Sequence, residues 1–143
     1  MKHNRLFAAV LCVMLVLAMS LSACGSKETP AQTTEAAAVT SGSVLGEGQT
    51  VFTLEVVDAE GKTSTFEIHT DKTTVGEALL ETGLVAGENG DYGLYITTVN
   101  GVTLDWDKDA KYWAFYIDGE YATTGVDATD IVAGTVYSLK AEG

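Results

Sequence analysis

Residues 50–83 read TVFTLEVVDAEGKTSTFEIHTDKTTVGEALLETG, and the repeat of the apolar positions changes within that stretch. Phe52, Leu54 and Val56 alternate with Thr53, Glu55 and Val57, the two-residue repeat of a half-buried strand. Asp58-Ala59-Glu60-Gly61 supplies a turn, after which Phe66 and Ile68 alternate with Thr65, Glu67 and His69. The two runs predict a hairpin. Thr74 and Glu77 then stand at capping-box spacing, where the hydroxyl accepts from a helical N–H and the carboxylate reaches back to the cap. Val75, Ala78, Leu79 and Leu80 give that helix its apolar face. Gly83 suits the stop of a helix of about ten residues.

Downstream, the Gly87–Gly93 stretch reads as a loop, and Leu94 to Val99 as a third strand. Asn100-Gly101 is a type I′ hairpin signal, with Val102 to Leu104 as the return. Asp105 to Asp109 reads as a polar turn. From Tyr112 to Ile117 the alternation resumes, with Trp113, Phe115 and Ile117 on one face and Tyr112, Ala114 and Tyr116 on the other. Asp118-Gly119 predicts a second tight hairpin, and Thr135 to Lys140 a last strand with Tyr137 and Leu139 inward. Hairpin, helix, then several strands define an α+β fold: one short helix packed on a mostly antiparallel sheet.

The string also carries a resemblance. Thr74-Val75-Gly76-Glu77-Ala78-Leu79-Leu80, Tyr92 to Gly101, Tyr112 to Gly119 and Gly125-Val126, in that order, are similar to the bacterial domain called DUF4430. That domain is in turn similar to the C-terminal domain of transcobalamin and intrinsic factor. The resemblance covers about Val51 to Lys140 and implies a β-grasp-like, ligand-binding architecture. In the animal carriers a large helical domain closes over the corrinoid from the other side, and this sequence has no such partner domain. The family commonly places an acidic turn, Asp-Gly-Asp or Asp-Gly-Glu, before the last strand. Here the turn is Ala133-Gly134-Thr135, so the glycine is kept and the acids are not.

Ahead of the folded region, Lys2 and Arg5 precede an unbroken apolar run from Leu6 to Met19. The run is shorter than the roughly 20 residues a spanning helix needs, and small residues follow it, as in a secretory signal. Leu21-Ser22-Ala23-Cys24 resembles the lipobox of bacterial lipoproteins, which implies cleavage before Cys24 and a diacylglycerol on its thiol. The expected organisation is a signal peptide over 1–23, a lipidated cysteine and flexible low-complexity tether over 24–49, and one domain over 50–143. The expected location is the extracellular face of a bacterial cell membrane, with the lipid as the membrane contact. Two acyl chains give stable attachment where one does not.

Composition excludes several chemistries. With Cys12 in the signal and Cys24 acylated, no thiol remains for a disulfide. His69 is the only histidine beyond the signal, so the set of Cys and His ligands that structural zinc sites use is missing. His69 lies near the end of a strand and reads as an edge residue. No nucleophile elbow and no phosphate-cradling glycine loop occurs. Asp105, Asp107 and Asp109 invite a calcium reading, but the loop pattern requires Gly and Glu where Ala110 and Tyr116 stand. No metal and no cofactor is expected. The formal net charge of −12 opposes nucleic acid and anionic lipid heads.

Tyrosine and tryptophan crowd the chain from Tyr92 onward. Tyr95, Trp106, Tyr112, Trp113 and Tyr116 are the candidate ligand-binding residues, since rings with polar handles suit a flat ligand such as a corrin, another heterocycle or a sugar. Cross-strand packing is the alternative for each, most strongly for Trp113 on the inner face. The leading functional reading is a non-catalytic binding module, with cobalamin as one candidate ligand. The alternative is an interaction module that docks to a second surface protein. A carboxylate-dependent hydrolase is a remote third, because no pair of acids has supporting context.

Overall fold

Alternation and capping produce the expected hairpin and helix. The computed structural model of the protein describes residues 38–143. The signal segment, Cys24 and the first part of the tether lie outside the described residues. β1 spans Val44–Gly46, β2 Thr50–Val57 and β3 Thr63–Thr70, followed by α1 over Val75–Glu81. β4 (Val85–Gly90), β5 (Gly93–Val99) and β6 (Val102–Thr103) come next, then the short helix α2 over Trp106–Asp109. β7 (Tyr112–Ile117), β8 (Glu120–Tyr121), a single 3-10 turn at Val126–Ala128 and β9 (Val136–Glu142) complete the order.

The strands form two sheets. One has the order β1-β3-β2-β9-β7-β8 and the other β4-β5-β6. β2 pairs antiparallel with β3, and β9 lies parallel to β2 on its other side, with Leu54 opposite Tyr137 and Val56 opposite Leu139. β7 then runs antiparallel to β9. This central parallel pair flanked by antiparallel hairpins, with α1 packed against the sheet, is the β-grasp-like α+β fold.

α1 is shorter than expected, ending at Glu81, but its start is the one the sequence encodes. The Thr74 hydroxyl accepts from the Glu77 N–H at 3.4 Å and the Glu77 carboxylate accepts from the Thr74 N–H at 3.4 Å. Gly83 follows the cap with φ +70°, a conformation that a Cβ would strain. The helix buries Val75, Ala78 and Leu79 against Leu54, Phe66, Ile68 and Leu139, all at 1% exposure or less. Each of those large side chains contributes about 1.5–3 kcal/mol by leaving water.

Four expectations are corrected. The flexible tether was expected to reach residue 49, but over 38–49 the chain is docked. β1 pairs parallel with β3, Leu45 packs on the core, and Val39 exchanges two hydrogen bonds with the Asn100 side chain (2.6 and 3.2 Å). β3 is therefore not an edge, and His69 pairs with Gly46 of β1, its ring 2.7 Å from Glu67. The Gly87–Gly93 loop is mostly strand: β4 pairs with β5 through a register shift between Ala86 and Gly87. Gly87 permits this, because a Cβ there would lie 2.3 Å from the Tyr95 carbonyl oxygen. The Asp105–Asp109 turn is α2, because Asp105 caps it by accepting from the Asp107 N–H at 2.9 Å.

Candidate functional site

β5 and β7 face each other from different sheets, and the chain that leaves β8 runs past both on its way to the 3-10 turn. Between them lies a cavity of about 500 Å³, within the range of small-molecule sites. Its walls include Tyr95 from β5, Tyr112 and Trp113 from β7, Tyr121 from β8, and Thr124 and Val126 from the segment beyond. No charged side chain lines it. Aromatic faces and threonine hydroxyls therefore do all the work a ligand would meet there.

Three of the five candidate rings, Tyr95, Tyr112 and Trp113, meet in this cavity. Trp113 is 6% exposed and belongs to the hydrophobic core, so packing and cavity wall are one role. Its Nε1 is buried and has no hydrogen-bond partner among the described residues. An unpartnered buried donor costs about 1–3 kcal/mol. Tyr112 lines the cavity beside Tyr121, whose neighbouring hydroxyl raises the Tyr112 pKa above the usual phenol value.

Trp106 and Tyr116 stand apart. Trp106, on α2, is 56% exposed and meets Tyr112 edge-on at 6.1 Å. It lines two smaller hollows, one beside Tyr112 and Glu142 and one beside Tyr95. The Tyr116 ring lies on the outer face of the large sheet, under Lys140 Nζ at 4.4 Å and edge-on to Tyr121 at 5.4 Å. Its hydroxyl donates to the Glu142 carboxylate, which pushes its pKa up to about 12. The structure thus shows Tyr116 engaged in the cross-strand contacts that the sequence left as its alternative role.

Sequence reasoning did not select Tyr92, Tyr121 or the Thr123–Val126 segment. Tyr92 is fully exposed at the tip of the β4–β5 hairpin and reaches the cavity rim. An exposed aromatic at a turn was the available signal, but only the tertiary approach of β5 to β7 makes it part of a site. The Asp127 carboxylate also sits at this end, held close over Gly93 and Gly125. A Cβ on Gly93 would come within 2.6 Å of it.

Of the three aspartates at α2, the Asp105 and Asp109 carboxylates are occupied internally. Asp105 Oδ2 takes the Lys108 ammonium at 2.8 Å and Asp109 Oδ2 accepts from the Asp105 N–H at 3.1 Å. The hydrogen bond from Lys108 holds the Asp105 carboxyl below the usual range. Among the described residues no group of three or more His, Cys, Asp or Glu is placed to hold a metal ion, and no helix is long and apolar enough to cross a membrane.

A β-grasp-like domain with an aromatic cavity at the junction of its two sheets is the class this geometry defines. Residues 72–138 match the family described as Domain of unknown function (DUF4430). A crystal structure of a protein from Ruminococcus gnavus ATCC 29149, provisionally described as metal binding, is similar over 66% of this chain and 97% of its own, with 34% identity and a TM-score of 0.62. The chain belongs to the DUF4430 family. Haptocorrin in complex with Cbi is similar in fold, with a TM-score of 0.51 and 14% identity over 68% of this chain and 26% of that one. No curated protein matches the chain.

Proposed function

We propose that this protein is a non-catalytic binding module, held by a lipid on Cys24 at the outer face of a bacterial membrane, whose cavity between β5 and β7 takes a small, flat, largely apolar ligand. The observation that carries the reading is the uncharged cavity of about 500 Å³ walled by Tyr95, Tyr112, Trp113 and Tyr121. A corrinoid combines a flat body with amide-bearing edges, and the haptocorrin structure with Cbi shows that this fold accompanies such a ligand in another protein. The metal-binding description of the Ruminococcus gnavus protein finds no matching ligand cluster among the described residues here.

Calorimetry of the purified domain with cobinamide and with cobalamin tests the ligand. Heat that saturates, and an affinity weakened at least about tenfold by Tyr112→Ala, supports the reading. No heat at high micromolar ligand removes corrinoids. Radiolabelled palmitate incorporated into the native protein and lost in Cys24→Ser tests the anchor.

A second reading, docking to another surface protein, is favoured by the exposed rings of Tyr92 and Tyr121 at the cavity rim. A stoichiometric protein recovered by pull-down from solubilised membranes, with no small molecule retained, supports it over the first.

A further inference from the structure

On the side of Tyr95 away from β7 lies a second hollow of about 400 Å³. It is a different place from the cavity above and shares only the Tyr95 wall with it. Glu88 and Tyr95 stand opposite each other in the β4–β5 pairing, and Thr97 follows on the same face of β5. Trp106 and Asp107, at the start of α2, close the far side.

Two features of this hollow lack an internal purpose. First, the Tyr95 and Trp106 rings are 46% and 56% exposed, and Trp106 meets its one aromatic neighbour, Tyr112, only edge-on. A large ring face is therefore left to water, on a short helix that Asp105 already caps. Second, the Glu88 and Asp107 carboxylates accept no hydrogen bond from any described residue, unlike Asp105 beside them. Ring faces bind apolar C–H surface, and ionised carboxylates form short, strong bonds with hydroxyl donors. A molecule with an apolar face and a rim of hydroxyls satisfies both.

We propose that this hollow is a saccharide site: the C–H face of a neutral pyranose stacks on Trp106 and Tyr95, and its hydroxyls bond the Glu88 and Asp107 carboxylates and the Thr97 hydroxyl. The charge of the wall selects the class. Uronic and other acidic sugars meet two unpaired carboxylates and are repelled. A quaternary ammonium ion would use the carboxylates, but it has no hydrogen to donate to the Thr97 hydroxyl oxygen, whose own proton goes to the Ala86 carbonyl at 3.5 Å. Lys108 also already holds a cation beside Asp105, 2.8 Å from its carboxylate. A volume of about 400 Å³ accommodates one or two rings and leaves the rest of a longer glycan in solvent.

The experiment is titration of the purified domain with cellotriose, maltotriose, N,N′-diacetylchitobiose and digalacturonate, followed by tryptophan fluorescence and calorimetry. Trp106 is solvent-exposed, so stacking shifts its emission to the blue. At least one neutral oligosaccharide should bind and digalacturonate should not. Trp106→Ala should weaken the binding by about tenfold or more, and Glu88→Gln by several-fold. Both positions are exposed, and thermal denaturation checks that the variants stay folded. Corrinoid binding, where present, should survive Trp106→Ala, because Trp106 does not line the other cavity. The proposal fails if no neutral saccharide binds at 10 mM or so, as weak single-ring sites still register there. It fails equally if Trp106→Ala leaves saccharide affinity unchanged, or if only tetramethylammonium, added as a control, is bound.

Discussion

Tyr116 donates to Glu142 across the β7–β9 pair, and its pKa rises from 10.0 to about 12 because that bond requires the phenol proton. The unfolded chain loses this proton near the ordinary phenol value while the folded chain keeps it. The contribution of the bond is therefore complete below about pH 10 and is lost as pH rises through about 12. Ultraviolet titration should show Tyr116 ionising last, and Glu142→Ala should return it toward the ordinary value. A single unshifted phenolic transition in the parent chain would contradict the geometry. At this scale the sequence was informative about which residues matter and less so about where they go. Alternation placed Trp113 and Phe115 inward and Tyr112 and Tyr116 outward, as observed for the strand. It gave no means of seeing that Tyr112 faces the cavity while Tyr116 faces Glu142, since that depends on where β8 and β9 end.

Elements with local signals were legible. The capping box fixes the start of α1, and Asn100-Gly101 and Asp118-Gly119 adopt the left-handed backbone their turn demands, with φ of 47°, 80°, 49° and 86°. Thr74→Ala removes the hydroxyl that accepts from Glu77 and should cost about 1 kcal/mol in a denaturant melt. Elements defined by distant partners were not legible. β4 contains Gly87, Glu88, Asn89 and Gly90, poor strand formers that pair only because β5 supplies the ladder. β1 is three residues in a low-complexity stretch, and β3 gives it a place. The aromatic cavity is a product of the same kind, since the segment carrying Thr124 and Val126 has no periodicity to announce it.

For the molecule as a whole, the sheet extends further toward the N-terminus than the composition suggests. A chain beginning at residue 48 loses β1, the Leu45 contact and the Val39–Asn100 bonds, and it bares the β3 edge. It should be less stable than one beginning at residue 38 by on the order of 2 kcal/mol, measured as a lower denaturant midpoint. Exposed β3 should also make the shortened chain prone to self-association, visible by light scattering. The position of β9 has a different consequence. It lies between β2 and β7, and its Ser138 stands opposite Glu55 of β2, 83 positions earlier in the chain. Neither hairpin can join the other until this strand slots in, so the two halves of the sheet wait, unlinked, for a segment made after both. Assembly is then a late, slow closure set by chain topology rather than a gradual zipping. A polypeptide passed through a narrow channel would stay threadable until β9 had emerged.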